Sequence, residues 1–461
     1  MKQTLRVLGV AALVALVGCT KDLLEVTDPD IILDDALRAN TAAGALGLHN
    51  GAVFRLNQAT AGTQGPDALF LFAGLLTDEY RSGDTFIQRN TMDQRIWDPQ
   101  NTFHAGPFRN LNRVRVLADA AIPALREFRP NPVTDVGRMF AFIAYVETLM
   151  GEHYCNGTPI SSVQGSTIIP GQPISNDSMF GNALANVDSA LANIDGGDSN
   201  AVTWLAQVVR GRALLDRGQF AAAAAATATV PDAFHYDVQY SQISIDNQIW
   251  ALNTSARRYT IPDSAGEGPN GLDYRTANDP RIPTQRGPTN MSSDRIFDTA
   301  FPLRVIRQGI WGRESGIKIA SGIEARLIEA EAALQVGDAV TWLAKLNQLR
   351  ANAALLPTPV DTGYRPVAGT TLAPLVDPGA ATPDTLRIKL MFRERAFWMF
   401  STGHRLGDMR RLMRQYGRTE AQVYPVGLWF KGGNYGDAIQ LPVPFDEQNN
   451  PNFVQCSDRL P

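Results

Sequence analysis

Residues 322–351 read GIEARLIEAEAALQVGDAVTWLAKLNQLRA. Ile323, Leu327, Ala330 and Leu334 are spaced 4, 3 and 4 apart, so they share one face of a helix. Gly337-Asp338 interrupts the period with a turn signal. Trp342, Leu343, Leu346 and Leu349 then line a return helix. Two apolar stripes joined by a short turn make a helical hairpin that must bury its stripes against neighbours.

A second hairpin lies upstream. Gly211, Leu214, Gly218, Phe220 and Ala223 fall at the offsets of a tetratricopeptide hairpin. Its first arm covers about 201–217 and its second holds the alanine tract Ala221 to Ala226, a strong helix former stopped by Pro231. Further helical blocks read over about 106–127, 136–152 and 179–194. Phe140, Ile143, Ala144 and Val146 form the stripe of the second. Two hairpins do not make a stable array alone, so these helices must complete it. The fold class is mainly α: tetratricopeptide-like helical hairpins, long irregular loops and a few short strands. Residues 235–320 and 352–382 lack a helical period. Thr382-Pro383-Asp384 carries the start signals of a final long helix. Beyond about residue 417 the chain reads as loops and short strands.

At the other end, Lys2 and Arg6 precede an apolar run from Val7 to Val17, too short to span a bilayer. This is a secretory signal. It closes on Leu16-Val17-Gly18-Cys19, which resembles the bacterial lipobox and makes Cys19 the expected lipid carrier. The organisation expected is a signal peptide over 1–18, a lipidated tether over 19–40 and a single domain over 41–461. Removing Lys2 and Arg6 leaves 40 basic against 46 acidic side chains, a charge of −6 that gives no support to nucleic-acid binding. With Cys19 spent on lipid, Cys155 and Cys456 remain in a compartment that permits disulfides, and an even remainder suggests that they pair.

Catalytic and metal signatures are missing. His49, His104, His153, His235 and His404 include no His-Glu-x-x-His pair, and the chain has no Gly-x-Ser-x-Gly elbow, Walker loop or dinucleotide fingerprint. No catalytic residue, metal or cofactor is assigned. The irregular region offers a different chemistry. Trp250, Tyr259, Tyr274 and Trp311 stand among Arg257, Arg258, Asn270 and Asp273. Flat apolar faces beside polar edges suit sugar rings, and loops on a rigid scaffold are where binding residues gather. These four aromatics are the candidate ligand contacts, with burial in a core under the loops as the competing reading. His404, Arg405, Asp408, Arg410 and Arg411 form the densest charged cluster. It reads as a salt-bridged helix end packed on the repeat, or as an acid or phosphate site. Arg405 and Asp408 share a face if the helix runs through Gly403.

Three stretches resemble the SusD/RagB family of nutrient-binding outer-membrane lipoproteins. Ser321 to Ala332 with Leu346-Asn347-Gln348-Leu349-Arg350 is similar to the family's Ala-Glu-Ala hairpin and its return. Glu394-Arg395, Gly403-His404-Arg405 and Asp408-Met409-Arg410-Arg411 are similar to its Glu-Arg…Gly-His-Arg…Asp-Leu-x-Arg segment. Trp398 and Thr402 stand where the family usually has glutamates. Leu441-Pro442-Val443-Pro444 and Asn449 to Gln455 are similar to its closing segment, with Cys456 in place of the usual asparagine. The resemblance implies an α-rich fold and a lipid-anchored, surface-exposed protein of the outer membrane. It further implies a TonB-dependent transporter as partner, glycans or similar oligomers as ligands, and no catalysis. A lipid-anchored tetratricopeptide scaffold for envelope proteins is the alternative.

Overall fold

The computed structural model describes residues 41–62, 67–164, 167–263, 270–285, 294–366, 369–379 and 385–456. Asn40–Pro461 forms one compact unit. The signal, the lipobox with Cys19, the tether, and the Thr382-Pro383 helix start lie outside the described residues. Thirteen α-helices are found among them: α1 (Ala42–Thr60), α2 (Leu69–Leu76), α3 (Ile87–Asp93), α4 (Ala105–Phe128), α5 (Thr134–His153), α6 (Asn176–Leu191), α7 (Ser199–Asp216), α8 (Phe220–Thr227), α9 (Gly322–Gln335), α10 (Ala339–Ala351), α11 (Thr385–Trp398), α12 (Arg405–Arg414) and α13 (Glu420–Val423). No helix among the described residues is long and apolar enough to cross a membrane.

The helices stack as a chain of neighbours: α1 on α4, α4 on α5, and then each on the next from α5 through α10. Both expected hairpins are present. Their turns need left-handed backbone, and Gly218 (φ 71°) and Gly337 (φ 78°) supply it. Ile323, Leu327, Ala330 and Leu334 meet Trp342, Leu346 and Leu349, and Met391, Phe392 and Trp398 of α11 complete that cluster. Leu214, Leu215 and Ala223 of the upstream hairpin pack on Ile328 of α9. Some ninety residues separate α8 from α9, yet the two helices touch. The reason is a clasp: β6 (His235–Val238) pairs antiparallel with β9 (Ile317–Ser321), placing His235 opposite Ser321. The long excursion therefore leaves and re-enters the stack at one place.

The structure corrects three readings. Helices begin well before residue 106. α1 is entered through Thr41, whose side chain accepts from the Gly44 N–H at 3.1 Å. α2 is buried on every side, so its sequence LFLFAGLL shows no period to read. The final helix is two helices: α11 ends at Trp398, and Ser401 (φ 57°) and Gly403 (φ 74°) turn the chain into α12. Beyond 417 the described residues hold α13, a 3-10 turn over Phe445–Asn449 and only isolated bridges, not strands. The few strands lie earlier, as two-residue to five-residue pairs.

Cys155 and Cys456 are bonded, with Cα atoms 6.0 Å apart. Beside them, the Leu441 N–H donates to the His153 carbonyl at 2.8 Å and the Cys155 N–H to the Leu441 carbonyl at 3.1 Å. The C-terminal segment is thus tied to the end of α5.

Candidate functional site

The charged cluster of 404–411 is buried. Arg395 donates to Asp408 at 2.9 Å, and Arg411 reaches Asp408 at 2.7 Å, Glu331 at 3.0 Å and Asp216 at 3.2 Å. Arg405 turns away from Asp408 and grips Asp78 of the loop after α2 with two bonds, 2.7 and 2.8 Å. Arg410 donates to the carbonyls of Gly151, Glu152 and Tyr154 at 2.7–3.1 Å, placing a cation on the negative C-terminal end of α5. Against the cost of burial, Arg395 and Arg411 hold the Asp408 carboxyl below its usual range. Burial pushes Glu79 up to about 8 and, with the Glu152 carboxylate nearby, Asp216 up to about 7. Glu324 also rises to about 7 through burial. These side chains join α5, α7, α9, α11 and α12, so the structural reading of the cluster holds. They face each other rather than solvent.

The candidate aromatics divide. Tyr259 is fully buried, its hydroxyl donating to Asp67 and its ring under the Arg89 guanidinium at 5.5 Å. Tyr274 is fully buried between Phe397 and Phe400, with ring centroids 5.2 and 5.1 Å away. Trp311 is 8% exposed and lines a small cavity of about 90 Å³ with Arg281, Phe397 and Trp398. Trp250 opens a π-helical turn (Trp250–Ser255), is half-buried, and has the Arg313 guanidinium 5.6 Å from its ring. Of the four, Trp250 offers the most surface. The polar partners are scattered: Asn270 donates to the Tyr424 carbonyl at 2.8 Å and Asp273 accepts from Arg393 at 2.9 Å, while Arg257 and Arg258 lie elsewhere.

Those two arginines belong to a loop face that no single stretch of sequence discloses. β1 (Arg81–Ser82) pairs with β7 (Tyr259–Thr260). The Gly83 N–H donates to the Arg258 carbonyl and the Asp298 N–H to the Gly83 carbonyl, each at 2.8 Å, and the Phe297 N–H donates to Arg257 at 2.9 Å. Backbone around 81–84, 257–260 and 296–298 is thereby laced together. Lys431 locks the C-terminal region to it, donating to the Asp84 carbonyl and, at 3.0 Å each, to Asn90 and Asp298. On this frame stand Phe86 (45% exposed) and Phe297 (39% exposed), with the Arg258 guanidinium 4.9 and 3.8 Å from their rings. Arg81 lies 4.6 Å from Phe430, and Phe430 packs edge-on to Phe301 at 6.1 Å. The usable signal was phenylalanine beside arginine or lysine in irregular segments, as in Phe430-Lys431. A search confined to Trp and Tyr passes over it. Among the described residues, no group of His, Cys, Asp and Glu could hold a metal ion.

No protein-family model matches the chain, and no curated protein matches it. Solved structures do. A SusD-like carbohydrate-binding protein from Bacteroides fragilis aligns with a TM-score of 0.64 at 11% identity, covering 90% of this chain and 99% of that one. A SusD/RagB family protein from Bacteroides thetaiotaomicron gives 0.63 at 11% identity over 88% and 94%. A SusD superfamily protein from Bacteroides vulgatus gives 0.58 at 12% identity over 90% and 98%. At such identities the likeness speaks for the fold, and the fold of this chain is the SusD/RagB fold.

Proposed function

We propose that this protein belongs to the SusD/RagB family and is the substrate-binding lipoprotein of a nutrient importer. It is held at the outer membrane by a lipid on Cys19 and exposed to the surroundings. It captures glycans or similar oligomers on its loop face and delivers them to a TonB-dependent transporter, with no catalytic step of its own. The observation that carries this reading is the match of nearly the whole chain to SusD-like structures, one of them a carbohydrate-binding protein. The rigid frame that holds exposed aromatics on loops agrees with it. The lipobox supports the anchor, and several acyl chains on one cysteine hold a protein firmly where a single chain does not.

Incubating the purified protein with a panel of defined oligosaccharides tests the central point. Binding is expected, with every oligosaccharide recovered at its original length. Shortened products would make the protein a glycosidase. Capture of envelope proteins without any oligosaccharide binding would favour the scaffold alternative. Trp250→Ala is expected to weaken binding without lowering the melting temperature. Loss of acyl-chain incorporation in Cys19→Ala tests the anchor.

A further inference from the structure

The geometry points to a second binding site, for a small organic anion with an apolar body, in a groove lined by α11, α12 and α13. The groove shares no residue with the loop face.

One wall comes from α11. Thr385, Ile388, Lys389, Phe392 and Arg393 are spaced 3, 1, 3 and 1 apart, so they form one stripe along that helix. The lining continues with Leu412 of α12, Arg418 and the α13 residues Ala421 to Val423, and is completed by Asn270, Gly271 and Leu272. Asn270 is fixed there by its bond to the Tyr424 carbonyl at 2.8 Å. The space enclosed is about 460 Å³, within the range of pockets that hold small molecules.

The lining combines apolar surface with unmatched charge. Ile388 and Leu412 are half-buried on the core of the downstream hairpin, and Phe392 is buried edge-on to Tyr416 with ring centroids 5.1 Å apart. Four cations also line the groove, Lys389, Arg393, Arg405 and Arg418, and among the described residues no Asp or Glu does. Two of the four are already spent: Arg393 donates to Asp273 at 2.9 Å, and Arg405 to Asp78 at 2.7 and 2.8 Å. Lys389 and Arg418 differ. Neither side chain has a hydrogen bond, ion pair or ring contact within the structure. Lys389 is exposed and Arg418 half-buried, so both can be reached from solvent. The Arg418 N–H donates to the Leu412 carbonyl at 3.1 Å, which pins its backbone and leaves the guanidinium unused.

Two cations with unspent donors, beside apolar side chains in one groove, are the complement of a carboxylate or phosphate carried on an alkyl or aryl body. A bare inorganic anion would leave the apolar surface wet. A neutral apolar molecule would leave the cations as they are. Only a ligand with both parts uses the whole lining.

The test is calorimetry on the purified protein with five probes: octanoate, octyl phosphate, acetate, inorganic phosphate and octanamide. Octanoate or octyl phosphate is expected to bind about tenfold or more tighter than the other three, and whichever binds assigns the anionic group. Arg418→Gln should weaken that binding about tenfold and Lys389→Gln, at the more exposed position, severalfold. Neither change should lower the melting temperature, because neither side chain has a partner to lose. Equal binding of octanamide overturns the inference in favour of a purely apolar groove. Equal binding of acetate or inorganic phosphate reduces the site to an adventitious ion only. Affinity unchanged in both variants places the ligand elsewhere and overturns it too, as does binding of none of the five. Each of these failures leaves the oligosaccharide panel, and the role it tests, untouched.

Discussion

The repeat core and the loop face both set arginine among carboxylates and rings, yet they use the pairing differently. In the core, Arg212, Arg395 and Arg411 share Glu152, Asp216, Glu324, Glu331 and Asp408, an excess of acid. Burial makes that excess costly, and the core answers by keeping protons: Asp216 and Glu324 are each raised to about 7. On the face the ion pairs join one loop to another: Arg258 meets Asp84 and Lys431 meets Asp298. One arrangement fixes helices relative to each other. The other laces loops from distant segments into one frame.

Breaking the core should show the largest effect. Arg411→Ala strands Glu331, Asp408 and Asp216 without their shared cation, and a loss of about 3–5 kcal/mol is expected in a denaturant titration. A loss below about 1 kcal/mol would mean that the network is not holding α9 to α12. The pH profile sharpens the comparison next. Glu79, Asp216 and Glu324 bind protons more tightly folded than unfolded, so they subtract stability as pH rises from about 4.5 towards 8. His104 and His153, pushed down to about 3 by burial, subtract it as pH falls below 6.5. The two trends offset each other between about 4.5 and 6.5, so melting temperature should be nearly flat there and fall on both sides. Glu79→Gln should recover on the order of 1–2 kcal/mol of the decline between pH 6 and 9. An unchanged alkaline limb would show that Glu79 already ionises freely. The smallest effect is expected on the face: Arg258→Ala should change stability by less than about 1 kcal/mol, since Arg89 still pairs with Asp84. A loss as large as that of Arg411→Ala would make the face part of the core.

What could be read from the sequence follows from the range of the interactions. The two hairpins were legible because a stripe at 3.6 spacing is local, and Ile323 to Leu334 kept it unbroken. The disulfide followed from counting thiols. α2 was not legible, since a segment buried all round carries no amphipathic signal. The break at Ser401 had only Gly403 as a hint, because the turn is imposed by packing against α2 and α5. The face escaped for a related reason: Asp84, Arg258, Asp298 and Lys431 come from four distant segments, and nothing in any one of them announces the other three. Tyr259 and Tyr274 matched the composition of a sugar site but serve as buried pillars, with burial pushing both phenols well above their usual range.

The clasp of β6 and β9 has a consequence for how such proteins diversify. Because the excursion departs and returns through one strand pair, it is inserted into the stack like a plug in a socket. Loop closure penalties grow slowly with length, so those parts of 239–316 that make no contact outside the excursion can be lengthened or shortened while α8 still meets α9. Chains only 11–12% identical align over most of their length on this fold. A loop graft between two such proteins, cut at His235 and Ser321, should carry only part of its ligand preference, because Arg81, Phe86 and Lys431 of the face lie outside the graft.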